Sequence, residues 1–229
     1  MVSPKMKDRE IPDSNVFPPE VDVTFDREAF APTAQAGVVS HWNVAVVRVR
    51  CEKLAVDHIK KLGMEAFVPT QMETHQWKDR RKKIERIITP SLVFFNISQS
   101  LCHSSVSAEG VKRPKTRDFL EKELRARQLD VRKTMYVYRL LSMPHETKPA
   151  DIPEEQLRRF KYMIGMSDER VDLVPTFAKG DHVRVVRGSL KGFEGYIAAD
   201  PDGKQQIGVL VEPLGYAVTG ISLNDVESI

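Results

Sequence analysis

From Val183 onward the chain reads Val183-x-Val185-x-x-Gly188-x-x-x-Gly192-x-x-Gly195-x-Ile197, and this glycine spacing leaves it few folds. Gly188, Gly192, Gly195, Gly203, Gly208, Gly215 and Gly220, with Pro201 and Pro213, fall at intervals too short for a long helix. In a helix interior each glycine would cost about 1 kcal/mol and each proline about 3 kcal/mol relative to alanine. Turns between short strands use the same residues favourably, because they need positive φ or close backbone approach. The apolar runs at 183–186, 195–199, 207–211 and 216–221 have strand length, and Pro201-Asp202-Gly203 marks a hairpin. Residues 177–229 are therefore expected to form a small β-barrel and not a pair of helices.

The preceding part alternates between two periods. Residues 42–50 are rich in β-branched side chains, whereas 51–62 place Leu54, Ala55, Ile59 and Leu62 at helical spacing before Gly63. Extended segments are expected at 64–69, 83–88 and 91–97, with the polar stretch 77–83 as a hairpin tip, so antiparallel pairing follows. Thr116 is placed to cap a helix carrying Phe119, Leu120 and Leu124, and 135–141 returns to strand. Asp151 to Glu155 open a last helix with acidic residues in its first turn and Leu157, Phe160 and Ile164 on one face, ending near Gly165. Residues 165–176 carry charge and Pro175 without periodicity and are expected to be a linker. Residues 1–40, with Pro4, Pro12, Pro18, Pro19 and Pro32, read as an irregular arm apart from a short extended piece at 21–25.

The expected organisation is an arm (1–40), an α+β domain (41–164) with an insert (99–133), the linker, and the barrel (177–229). Hydrophobic residues at 41% and charged residues at 29% supply a core for two such modules and argue against disorder. No apolar leader opens the chain and no stretch approaches the roughly 18 apolar residues of a membrane span, so a cytoplasmic protein without a membrane partner is expected. Cys51 and Cys102, without a CxxC, support neither disulfide framework nor zinc site. The histidines at 41, 58, 75, 103, 145 and 182 form no HExxH, and Walker and GxSxG patterns are absent, so no enzyme, metal or cofactor is expected. Charge is segregated: residues 41–133 hold 20 Lys and Arg against 11 Asp and Glu, while residues 1–40 hold 4 against 7. Such a basic middle attracts nucleic acid locally.

The glycine pattern of the last module looks like a KOW motif, carried by Val183, Val185, Gly188, Gly192, Gly195 and Ile197. Upstream, Trp42-x-Val44, Glu52-Lys53, Gly63, Phe67-x-Pro69, a basic hairpin ending at Pro90, and Lys148-Pro149-Ala150-x-Ile152-Pro153 resemble the N-terminal domain of NusG-family transcription elongation factors. The resemblance covers roughly 41–97 and 134–229. It implies an antiparallel sheet with helices mainly on one face, followed by an SH3-like KOW barrel. The family usually has Pro-Gly-Tyr where this chain has Pro90-Ser91-Leu92, and the arm and the insert lie outside the compact family core.

Strand alternation divides the sheet into two faces. Ala45, Val47 and Val49 share one with Val93, Phe95 and Ile97, the expected helix-covered core. Trp42, Val44 and Val46 share the other with Leu92 and Phe94, apolar in the middle and ending in Arg48 and Asn96, as an interface requires. The resemblance implies that this patch, with Leu157 beside it, docks on the clamp of the largest RNA polymerase subunit. The alternative from the residues alone is burial under the insert or the linker, and cover by the KOW domain in a resting state would satisfy both. The hairpin cations Lys78, Arg80, Arg81, Lys82, Lys83 and Arg86 are placed to hold phosphates, with Trp77 available for base stacking. By resemblance they lie, with Arg48 and His58, near non-template DNA or nascent RNA.

The function implied is a monomeric factor that binds RNA polymerase and promotes processive elongation or antitermination, operon-specialised given the arm and insert. A ribosomal protein or Rho would be recruited through the KOW module. A housekeeping member assisting Rho-dependent termination is the nearer alternative. A KOW RNA-binding or ribosome-associated protein is the more distant one.

Overall fold

The structure is a computed structural model that describes residues 37–76, 81–106, 112–200 and 202–229. Strand β1 (Val38–Val47) leads to α1 (Glu52–Lys61), β2 (Glu65–Phe67), the hairpin β3 (Thr70–Gln76) and β4 (Arg81–Ile87), and β5 (Leu92–Ser100). The insert adds β6 (Cys102–Val106), β7 (Lys112–Pro114) and α2 (Arg117–Arg132), before β8 (Val137–Leu140) and α3 (Glu154–Met166). The last part holds β9 (Val171–Val174), β10 (His182–Val185), β11 (Glu194–Ala199), β12 (Gln205–Val211), β13 (Gly215–Gly220) and β14 (Val226–Ser228).

The first sheet runs β2-β5-β1-β8, with β1 antiparallel to β5 in a register that opposes Val44 to Phe94 and Ala45 to Val93. Because side chains alternate, the register sorts the sheet into two separate cores. Ala45, Val47, Val93, Phe95 and Ile97 pack under Ala55, Val56 and Ile59 of α1 and Val131 of α2. Trp42, Val44 and Phe94 face the other way, where they meet Leu157, Phe160 and Met163 of α3. Two helices thus cover one face and the third covers the other. Val49, expected in the first core, is 61% exposed, because β1 stops at Val47 and Arg50 turns to φ 65°.

The glycine-rich part is built of strands, with a 3-10 turn at Leu223–Asp225, in an antiparallel sheet ordered β14-β10-β11-β12-β13-β9. Where the sequence predicts a barrel, the paired strands form an open sheet with β14 and β9 as its two ends. The segment 165–176, expected to be an irregular linker, contains the end of α3 and the strand β9, which pairs with β13 from Val171 against Thr219 to Val174 against Tyr216. Gly165 does not end α3, which continues to Met166. The second core is continuous across both parts: Val171, Val183, Val185, Phe193, Ile207 and Val209 join the Trp42, Phe94 and Phe160 cluster. In the insert, Gln99 holds α2 to the sheet by donating from Nε2 to the Leu120 carbonyl at 2.9 Å.

Candidate functional site

The candidate docking face is closed. Phe94 is fully buried, with Phe67 stacked on it at 5.2 Å between ring centroids and Phe160 of α3 tilted against it at 6.0 Å. Trp42 meets Phe67 edge-on at 5.7 Å, and the Lys161 ammonium lies 4.3 Å from the Trp42 ring centroid and 4.4 Å from that of Phe67. The Trp42 carbonyl also accepts the Ile152 N–H at 2.7 Å, which holds the segment before α3 against β1. Val44 and Leu157 are buried with them, while Val46 and Leu92 are half-buried at the rim. The sequence groups Trp42, Val44 and Phe94 on one face of the sheet and leaves open whether that face is exposed or covered; the structure covers it, with Leu157 reaching it from α3. The cover comes from α3, whose apolar stripe fits that face, and from the second sheet packed beyond it.

A polar seam fastens the two sheets together around this core. Gln71 on β3 donates from Nε2 to the Glu169 carbonyl at 2.8 Å and accepts the Val171 N–H at 2.9 Å. Arg86 on β4 donates to the Asp172 carboxylate at 3.0 Å and to the Val171 carbonyl at 2.5 Å, and its Nε pairs with Glu73. On the other side of α3, Gln156 accepts the Glu212 N–H at 2.9 Å, and Tyr162 stacks on Phe193 at 5.9 Å with its rings within 7° of parallel. Ser167 and Thr219 share a hydroxyl hydrogen bond of 2.8 Å. Burial pushes the Tyr162 hydroxyl pKa up, so the phenol stays neutral and the seam carries no charge there.

The predicted nucleic-acid residues divide. Arg81, Lys82 and Lys83 stand exposed along β4, while Lys78, Arg80 and Trp77 lie outside the described residues. Arg86 does not stand with them: it is directed into the seam, and its guanidinium is engaged by Glu73, Asp172 and the Val171 carbonyl. Lys53 in the first turn of α1 pairs with Glu85 and, by that hydrogen bond, holds the Glu85 carboxyl below the usual range, so the hairpin stem is tied to α1. Arg48 is exposed past the end of β1, and His58 packs its ring 5.8 Å from Tyr136 on the β8 side.

The residues of the glycine pattern form a strand, a turn and the next strand. Val183 and Val185 are buried, Ile197 is half-buried, and Gly188 and Gly192 take φ of 82° and 86° at the turn between β10 and β11. A Cβ on Gly195 would stand 2.9 Å from the Gly208 carbonyl oxygen and 2.9 Å from Ile207, closer than packed atoms tolerate. Sequence reasoning missed the seam altogether. Gln71 meets Glu169 across 98 residues, and nothing in the composition of an amphipathic strand marks one glutamine as a tertiary partner.

One further local device bears on the site. Glu52, 3% exposed at the start of α1, accepts the Ser91 N–H at 2.9 Å, and Ser91 itself lies at φ 65°. That turn starts β5 and so sets which of its side chains reach the docking face.

No curated protein matches the sequence. Among solved structures, the one described as domain interaction in Thermotoga maritima NusG aligns at 16% identity and a TM-score of 0.42, over 83% of this chain and 98% of that one. The MjSpt4:Spt5 complex in conformation A aligns at 12% identity and a TM-score of 0.22, over 82% of this chain and 97% of that one. Likenesses this loose carry no argument about mechanism. The model of the family described as transcription termination factor nusG matches residues 40–161. That match takes in more than half of the sequence and every element from β1 into α3, and the chain belongs to the NusG family.

Proposed function

We propose that this chain is a transcription elongation factor whose N-terminal sheet binds RNA polymerase through Trp42, Val44, Val46, Leu92, Phe94 and Leu157. It acts by holding the clamp in its elongating arrangement, and the insert and arm suit an operon-specialised member that opposes termination. The observation that carries this reading is the continuous apolar cluster in which the N-terminal face, α3 and the second sheet share one core, ringed by a polar seam. An apolar face with a polar rim is what a protein interface needs, and here another part of the same chain occupies it. Binding then requires that the cover move, so polymerase must stabilise the open arrangement by more than the seam and core stabilise the closed one. The cations Arg81, Lys82 and Lys83 remain outside the cover and are free to meet non-template DNA or nascent RNA. The chain catalyses no reaction; it shifts polymerase between states, and the second sheet, once released, is free to recruit another factor.

The test is binding to purified core RNA polymerase by the intact chain and by a chain with Arg86→Met and Gln156→Ala, which cut the seam on both sides of α3. The opened chain should bind several-fold more tightly and should lengthen transcripts at pause sites. Failure of both chains to bind polymerase, with ribosomal RNA recovered from extract instead, would overturn the reading in favour of an RNA-binding KOW protein.

A further inference from the structure

Along α2, where it meets β8 and the segment after it, runs a groove that the docking reading does not use. It encloses about 520 Å³ between α2 and the segment after β8, with Leu124, Leu129, Leu140 and Pro149 in its wall. Exposed Arg125, Arg132 and Lys148 line the same groove. A second hollow of about 160 Å³ shares Leu124 and Glu121 with it and runs back to Val39, His41 and Leu101. The two together form a track along α2 that starts beside Val39, where the chain leaves the arm. Among the described residues Glu121 is the one acid lining this track, and it is bracketed by Arg117 at 3.4 Å and Arg125 at 3.7 Å.

The arm has the complementary pattern. Val21, Val23 and Phe25 alternate with Asp22, Thr24 and Asp26, and Glu20 and Glu28 flank them with Arg27 as the only cation of the stretch. An extended chain of that pattern turns apolar side chains to one side and carboxylates to the other. About twelve residues separate Phe25 from Gly37 and span up to roughly 40 Å. The 16 residues of α2 are only about 24 Å long. Reach is sufficient, and both ends of the track are accessible without crossing the closed docking face, which lies on the other side of the sheet.

We propose that the arm segment around Val21 to Asp26 lies in this groove, its apolar side on Leu124, Leu129 and Leu140 and its carboxylates toward Arg132 and Lys148. The insert and the arm, the two additions to the family core, then form one unit, in which α2 is the receptor for the acidic strand of its own chain.

Methyl NMR of the full chain tests this. Val21→Asn with Phe25→Asn should shift the methyl signals of Leu124, Leu129 and Leu140 and leave those of Leu157 and Val209 in place, independently of protein concentration. Arg132→Glu with Lys148→Glu should release the arm and produce the same shifts. Adding Asp22→Lys and Asp26→Lys to that variant should restore the original spectrum, a rescue that damage to α2 could not give. Unmoved groove methyls in the arm variant would overturn the proposal by leaving the groove for an outside partner. Shifts that vanish on dilution would overturn it in favour of a second copy of the chain.

Discussion

Ser91 holds a left-handed backbone, φ 65°, a conformation that favours glycine. A non-glycine residue there gives up roughly 1–2 kcal/mol, of which glycine would return part, since it loses more entropy on folding. Ser91→Gly is expected to stabilise the chain by up to about 1 kcal/mol, because the Glu52 carboxylate accepts from the backbone N–H and loses nothing. Chemical denaturation would read this as a higher midpoint at unchanged slope, and a lower midpoint would mean that the Ser91 side chain holds the turn. Phe94 and Phe95 point to opposite faces, yet both are fully buried. Phe94→Asp and Phe95→Asp should therefore both abolish the cooperative thermal transition, since an unpaired buried charge costs several kcal/mol against a total of about 5–15. A native-like transition in Phe94→Asp alone would show that the cover over that face leaves readily in solution.

At the scale of elements, the β3–β4 hairpin serves two purposes along its length. Its stem is bonded to α1 through Lys53 and Glu85 and to β9 through Arg86, whereas Arg81, Lys82 and Lys83 farther out are exposed. Replacing Arg81 and Lys83 by alanine should weaken binding to bubble-containing DNA. The logarithmic salt slope should fall by roughly 0.7–0.9 for each phosphate no longer neutralised. Arg86→Ala should leave that slope unchanged. Filter binding across a salt series separates the two, and an unchanged slope in the double variant would assign the outer cations to solubility. α3 is likewise two-sided, with Phe160 against Phe94 and Tyr162 against Phe193, which makes it the shared layer between the sheets.

For the whole molecule, the continuous core predicts that both sheets melt together. Calorimetry of the intact chain should give one transition. Arg86→Met removes the donor to the Val171 carbonyl and leaves Asp172 with Arg170 alone while keeping the stem apolar, and should split the transition or lower the second sheet's midpoint. A single, unmoved transition in that variant would place the cohesion in the apolar packing alone and make the seam incidental.

The strands β1, β5 and β8, the strand-rich nature of the last part and the facing of Trp42, Val44 and Phe94 could be read from the sequence, because periodicity and turn chemistry are local, whereas β9 fell in a segment that reads as a linker and is a strand only through its pairing with β13. Gly188 and Gly192 were legible for the same reason, since a turn at positive φ leaves its mark on a single residue. Whether the second face of the first sheet meets solvent was not legible. Trp42, Phe94 and Leu157 would read identically in an open or a covered patch, and it is the packing of α3 and the second sheet that buries them. Nor did composition distinguish Arg86 from Arg81 and Lys83 in the same basic run. Only the fold brings Asp172, 86 residues away, to within 3.0 Å of its guanidinium, and so turns one nucleic-acid candidate into a fastening between modules.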